Sequence, residues 1–426
     1  MSTPLRFAPA TQRPTLSRGI SFWLLGAIQL FLLFAASAPS PLYPVYQAEW
    51  GFGPTAVTLV FALYAFGLLA ALLVVGSLSD HIGRRPVLIV SLLVEIAAMV
   101  IFIEAGGLGW LLAARAVQGL ATGAAMGAIG AGLVDLQPPH NPRLGALVGG
   151  TSILLGLALG GLGAGVLVQY APAPTTLIYL VLIAAFAITL AGVVFMPETT
   201  AGRPGALASL LPRASLPRRL RPHMLVITPS LVALWAVGGF YLSLGPALTA
   251  AVLGERNTVI VGAVIAVLTG AGALGQLFLQ RRTPLRILSY GSVTLIAGML
   301  ITMIGVAATI PAAYLLGTAL AGFGYGASFL GAMRTLAAQA EPEERAAVFS
   351  VMFLISYLAF GLPAIVAGVF STRLGLTLTS IGYAVVVIAL ALLALLGLYV
   401  QRRRMAPQPP LQPAEAAGPQ PSRQNA

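Results

Sequence analysis

The chain reads as an all-α membrane protein: twelve transmembrane helices in two parallel six-helix repeats, with both termini in the cytoplasm. Three observations predict this. Hydrophobic residues fill 58% of the 426 positions and charged residues only 8%, whereas a soluble domain carries about a quarter charged residues. Apolar runs of the roughly 20 residues needed to cross a bilayer recur along the whole chain. Finally, 20 of the 23 arginines fall in segments that all lie on one side if the runs alternate in direction, and that side is the cytoplasmic one by the positive-inside rule.

The expected spans are 21–44, 55–78, 87–105, 109–134, 143–168 and 174–196, then 223–250, 258–280, 286–307, 311–337, 346–371 and 378–400. Arg6, Arg13 and Arg18 precede the first run, which is too long for a signal-peptide core and reads as an uncleaved helix. A polar stretch rich in proline and arginine divides the halves. This organisation gives a cytoplasmic tail (1–20), a first bundle (21–196), a linker (197–222), a second bundle (223–400) and a disordered tail (401–426). Only Arg256 and Arg373 fall on the outer side, and Arg115 lies inside a span. The halves also echo each other: Gly119-Leu-Ala-Thr-Gly123 in the fourth span parallels Gly322-Phe-Gly-Tyr-Gly326 in the tenth. That is the signature of a repeated six-helix unit.

Composition also excludes function classes. There are no cysteines and three scattered histidines, so neither disulfides nor a metal cluster is expected, and no cofactor is implied. The chain contains no lysine and hence no phosphate-binding Gly-x-x-x-x-Gly-Lys-Ser/Thr loop. No nucleophile–base pair marks an enzyme. The net charge of +12 is spread over short interhelical segments, a pattern of bilayer topology and not of a nucleic-acid-binding face.

The turn Gly76-Ser-Leu-Ser-Asp80-His-Ile-Gly83-Arg84-Arg85-Pro86 is charged and sits between two apolar runs, so it belongs at a water interface. Its pattern resembles the signature between the second and third helices of major facilitator superfamily transporters, a resemblance that extends over roughly residues 20–400. The resemblance implies two bundles rocking about a midplane cavity. It also implies that Asp80 latches the halves on the cytoplasmic side in the outward-facing state, with the eleventh span as natural partner, and that Arg84 pairs with Asp135 at the end of the fourth helix. Gly76 and Gly83 permit close approach and a tight turn, while Arg85 serves the latch or anchors topology. The second-half counterpart, Gly275 to Arg282, lacks the aspartate, making any latch asymmetric.

Arg115-x-x-Gln118-Gly119 resembles a second signature of the superfamily, whose arginine is linked to proton transfer. An intramembrane arginine usually faces a cavity or a partner; Arg115 binds an anionic group, tunes an acid, or snorkels to the outer interface. Gly156, Gly160 and Gly165 in the fifth span resemble the antiporter signature with its proline replaced by Gly161, and Gly-x-x-x-Gly is equally a packing device. Glu95, mid-span in the third helix, is the candidate proton carrier. Gln29, Tyr43, Gln118, Trp235, Tyr241, Tyr325 and Tyr357 are the candidate cavity groups, polar and aromatic side chains suited to amphipathic organic molecules. Pro39, Pro41 and Pro44 should break the outer end of the first helix.

These readings converge on a monomeric secondary transporter of the bacterial inner membrane that exports small organic molecules, with protons as the coupling partner. The alternatives are an uptake carrier for an organic anion with Arg115 as counter-charge, and a membrane receptor that keeps the fold without net transport.

Overall fold

The computed structural model describes residues 15–141, 143–211, 215–254, 257–341 and 344–405. The terminal segments 1–14 and 406–426, with most of the expected disordered tail, lie outside the described residues, as do Arg213 and Arg256. Twelve helices are long and apolar enough to cross a membrane: α1 (Arg18–Trp50), α2 (Pro54–Val75), α3 (Arg84–Ile103), α4 (Leu108–Leu136), α5 (Leu144–Tyr170), α6 (Leu177–Val194), α7 (Arg218–Ser243), α8 (Thr258–Leu279), α9 (Pro284–Ala307), α10 (Pro311–Gln339), α11 (Ala347–Leu374) and α12 (Leu376–Gln401). Large apolar side chains such as Trp23, Ile188, Leu225 and Phe278 point outward, as lipid-facing positions do.

Three boundaries differ from the sequence reading. Arg84 and Arg85 form the first turn of α3 instead of preceding it. The last helix continues to Met405, so residues 401–405 are helical and not part of a disordered tail. The seventh span is not one helix over 223–250. It ends at Ser243 and a separate helix follows at Gly245–Leu253, because Pro246 cannot donate the N–H that would continue the ladder to Leu242.

The first span is interrupted in the same way: a helix over Arg18–Ser37, a 3-10 turn at Ser40–Leu42, and a helix over Tyr43–Trp50. Pro39 and Pro41 withhold two backbone donors there. The two interruptions meet, with Ser40 Oγ of α1 donating to Leu242 O of α7 at 2.7 Å.

The glycine pairs noted in the sequence reveal how the repeat is built. A Cβ at Gly119 or Gly123 would lie 2.3 Å from Tyr64 O or 2.2 Å from Leu68 O, both on α2. A Cβ at Gly322 or Gly326 would lie 2.1 Å from Leu268 O or 1.9 Å from Gly272 O, both on α8. The fourth helix of each half therefore seats its backbone on the second helix of the same half, a small-residue contact typical of membrane interfaces.

Gly326→Val should overpack the α8–α10 contact, costing about 1–3 kcal/mol or more and lowering the melting temperature of the detergent-purified protein. Gly270→Ala, where an added Cβ meets nothing within 4 Å, should leave it unchanged or raise it slightly.

Candidate functional site

A cavity of about 1670 Å³ opens between the halves. Its deep end is walled by Gln29, Tyr64, Thr122, Met126, Trp235, Gln276, Tyr325, Tyr357 and Phe360, and it runs out to Asn141, Arg143, Arg281, Arg282 and Arg345 at helix ends on the arginine-rich face. Gln29, Trp235, Tyr325 and Tyr357, singled out from the sequence, share this cavity. Tyr43, Glu95, Arg115, Gln118 and Tyr241 are not among its lining residues. Tyr241 turns into the second half, where its hydroxyl lies 2.9 Å from Thr318 Oγ1 and its ring stacks on Tyr314. Sequence reasoning missed the contributions of α2 and α8, above all Tyr64 and Gln276. The Gly119–Gly123 and Gly322–Gly326 pairs were the available signal, since they draw those helices in.

Trp235 anchors an aromatic wall, its ring centroid 5.2 Å from both Tyr357 and Phe360 and 5.9 Å from Phe329. Its indole Nε1, the Gln29 Oε1 and the Tyr64 hydroxyl are buried without a hydrogen-bond partner among the described residues. Buried polar groups normally find partners, and these three are shielded from water as well.

Arg115 is fully buried beside the cavity. Its Nη2 and Nε donate to the Tyr43 hydroxyl at 2.6 and 3.2 Å, and its Nη1 donates to Ala36 O at 2.9 Å and to Gln118 Oε1 at 2.8 Å. Gln118 Nε2 in turn donates to Ala35 O at 3.0 Å. Pro39 has no N–H to offer that carbonyl, so Arg115 and Gln118 supply donors to the broken stretch of α1 that its own backbone lacks. Arg115 therefore neither snorkels to an interface nor lines the cavity: three of its four hydrogen bonds go to α1 and one to Gln118 of α4. Tyr64, itself a wall residue, presents its ring 5.1 Å from the guanidinium.

Glu95 is fully buried on α3. Its Oε1 accepts a hydrogen bond from Thr122 Oγ1 at 2.5 Å, while its Oε2 has no partner among the described residues. It lies within electrostatic range of Arg115. Thr122 also lines the cavity and so stands between the carboxylate and the space where an occupant would sit.

On the arginine-rich face, Arg84 forms a salt bridge with Asp80 and lies 3.5 Å from Asp135. The Asp80 carboxylate is half exposed and paired inside its own half; α11 contributes no ion pair to it. The linker, unremarkable in sequence, holds this turn in place. Glu198 accepts the backbone N–H groups of Arg84 and Arg85 at 2.8 and 3.0 Å, a carboxylate set on the N-terminus of α3. Thr199 Oγ1 donates to Asp135 Oδ2 at 3.1 Å, Arg85 donates to Val194 O, and Arg18 Nη2 donates to Asp135 O at 2.6 Å. Gly83 has φ +100°, and a Cβ there would lie 2.6 Å from Glu198, so both conformation and space call for glycine. The carbonyl of Gly76 packs on α4, 2.5 Å from where a Gly127 Cβ would be.

The opposite end of the cavity is shut by contacts between the halves. Thr55 Oγ1 donates to Gly368 O at 3.2 Å, Thr258 Oγ1 donates to Gly165 O at 2.8 Å, and Phe61 packs edge-on to Phe360 at 4.7 Å. The glycines of α5 divide between two partners. A Cβ at Gly156 or Gly160 would strike α1 at Leu30 O (2.4 Å) or Phe34 O (2.2 Å), and one at Gly165 would strike α8 at Thr258 O (2.3 Å).

The Major Facilitator Superfamily profile matches residues 25–304. The chain belongs to the Major Facilitator Superfamily. Among relatives, a triacylglyceride transporter of Mycobacterium tuberculosis is 31% identical over 161 residues, covering 35% of this chain and 29% of that protein. Citrate exporter 1 of Aspergillus niger is 36% identical over 97 residues, 22% of this chain and 18% of that one. The chain thus matches less than a third of the length of these relatives. A bacterial homologue of the human lysosomal transporter Spinster, solved in an inward-facing and unoccupied conformation, superimposes with a TM-score of 0.73 at 12% identity over 91% of this chain and 98% of its own. The human organic anion transporter MFSD10 superimposes with a TM-score of 0.64 at 18% identity over 89% and 100%. The chain is thus a multi-pass membrane protein with the fold of the superfamily's transporters.

Arg115→Ala should destabilise the protein by about 3 kcal/mol or more, since it removes several charge-assisted hydrogen bonds and strands buried partners. Arg115→Lys should restore little, because one ammonium cannot reproduce the planar fork. Thermal unfolding of the two variants beside wild type checks this; unchanged melting in Arg115→Ala would refute the bracing role.

Proposed function

We propose that this chain is a monomeric, proton-coupled exporter of small organic molecules in a bacterial cytoplasmic membrane, working by alternating access. The carrying observation is the cavity itself: it reaches the arginine-rich face and is closed at the other end by hydrogen bonds between the halves. Positive-inside logic makes the arginine-rich face cytoplasmic, so cargo loads from the cytoplasm in this state. One chain encloses the whole path, which supports a monomer. The moving bodies are residues 21–196 and 223–400, joined by the 197–222 linker.

Export requires the outer seal to open and the cytoplasmic mouth to close. Ser40–Leu242, Thr55–Gly368 and Thr258–Gly165 are the contacts to be broken, each a single hydrogen bond of modest net worth. On the cytoplasmic side, the half-exposed Asp80 leaves Arg84 for the end of α11 once the halves approach there. Arg84, Asp135 and Glu198 keep the turn in shape meanwhile.

Glu95 supplies the proton site. It is a lone carboxylate in the membrane interior, linked to the cavity wall by Thr122, so its protonation state and the occupant of the cavity influence each other through one side chain. The chain contains no nucleotide-binding motif, and a proton gradient is the driving force that these residues can use. The anion-uptake alternative built on Arg115 loses its support, because that guanidinium is committed to α1.

In inverted vesicles, substrate-triggered collapse of a pH gradient should be seen with wild type and lost in Glu95→Gln, while gradient-independent counterflow of the same labelled substrate persists. Asp80→Asn should slow both by roughly tenfold. Undiminished proton release in Glu95→Gln would remove Glu95 from the coupling step.

A further inference from the structure

Among the described arginines of the cytoplasmic face, two are paired with carboxylates: Arg84 with Asp80 and Asp135, and Arg219 with Glu341 (2.8 Å) and Glu344. Those lining the cavity, Arg143, Arg281, Arg282, Arg334 and Arg345, have no carboxylate within ion-pair distance among the described residues. Among the described residues, no acidic side chain lines the cavity. Positive-inside topology accounts for the number of arginines on this face; the gathering of five of them around one opening gives that opening a strongly positive rim.

Two of the five come from opposite halves. Arg143, at the start of α5, and Arg334, on α10, line the same mouth from either side. Like charges facing each other are unfavourable unless an anion lies between them. Arg334 is further held in place by donating to Gln280 O at the end of α8.

Behind this mouth the wall changes character. Trp235, Tyr325, Phe329, Phe353, Tyr357 and Phe360 make it apolar and aromatic. Tyr325 and Arg334 lie nine residues apart on one helix, a rise of about 14 Å. An occupant that meets both zones must be elongated, apolar for most of its length and anionic at one end. A compact polyacid would leave the aromatic basin empty, and a cation would meet five positive charges on the way in.

Resting on the exporter reading of this cavity, we propose that its cargo is a single-chain amphiphile with an anionic headgroup: the headgroup sits among Arg143, Arg281, Arg282, Arg334 and Arg345, and the chain lies against the Trp235 wall. The recognised chemistry is a carboxylate or phosphate on an apolar chain, and the two headgroups are separate arms of the test.

The test uses the full-length protein in zwitterionic phosphatidylcholine nanodiscs, with Trp23, Trp50 and Trp110 replaced by Phe so that Trp235 alone reports occupancy. Dodecanoate, dodecyl phosphate, dodecanol, dodecyltrimethylammonium and citrate are titrated, with empty nanodiscs as the partition control. At least one of the two anionic amphiphiles should bind tenfold or more tighter than dodecanol, citrate and the ammonium compound. Arg143→Gln/Arg334→Gln should weaken that binding at least tenfold without changing dodecanol binding, which also certifies a folded cavity; Arg143→Lys/Arg334→Lys should retain most of it. Tightest binding by the ammonium compound, equal binding of citrate, or unchanged anion affinity in the Gln pair would each overturn the proposal. The titration does not require turnover, so failure of vesicle transport would count against the exporter reading and leave the headgroup assignment to be judged on binding alone.

Discussion

The constraint on which this structure depends is that hydrocarbon offers no hydrogen bonds. Every backbone carbonyl freed inside the membrane must find a donor within the protein. Prolines interrupt the first and seventh spans, one in each half, and each interruption releases carbonyls at depth. Ala35 and Ala36 are answered by Gln118 and Arg115 from α4, and Leu242 by Ser40 from the interruption in α1. The first solution ties α1 to its own half. The second ties the two halves together at the end where the cavity is closed. One physical requirement thus explains both a rigid brace and a breakable seal.

The buried guanidinium illustrates how such a brace tolerates its own cost. A charge taken out of water is expensive unless it is well hydrogen-bonded, and Arg115 makes four hydrogen bonds, to a hydroxyl, a carbonyl and an amide oxygen, with the Tyr64 ring alongside. Glu95 is the complementary case. It is equally buried but only half satisfied, with Thr122 on one oxygen and nothing among the described residues on the other. An incompletely satisfied carboxylate is a poor structural element, so these two buried groups are not equivalent: Arg115 braces a broken helix, while Glu95 has an oxygen to spare.

Glycine stripes determine how the helices can pack. Gly119 and Gly123 against α2, and Gly322 and Gly326 against α8, let backbones approach until no side chain fits between them. That close seating rotates Tyr64 and Gln276 into the cavity wall. On α5 the same device is divided, Gly156 and Gly160 lying on α1 while Gly165 lies on α8, so a single helix takes part both in a permanent contact and in the seal between the halves.

The sequence alone determined the number of spans, the repeat, the membrane orientation implied by arginine placement, and the charged turn at Gly76–Arg85, because these depend on local hydropathy and spacing. It also placed Gln29, Trp235, Tyr325 and Tyr357 among the candidates that the cavity does gather. It did not show that Arg115 and Gln118 face a broken helix instead of open space, that Glu198 of the linker caps α3, or that five arginines gather around one opening. Those are decided by the rotation of each helix about its own axis and by which helix ends become neighbours. Both are settled by backbone-to-backbone contacts between residues far apart in the chain, and a one-dimensional pattern of polar and apolar positions carries no record of them.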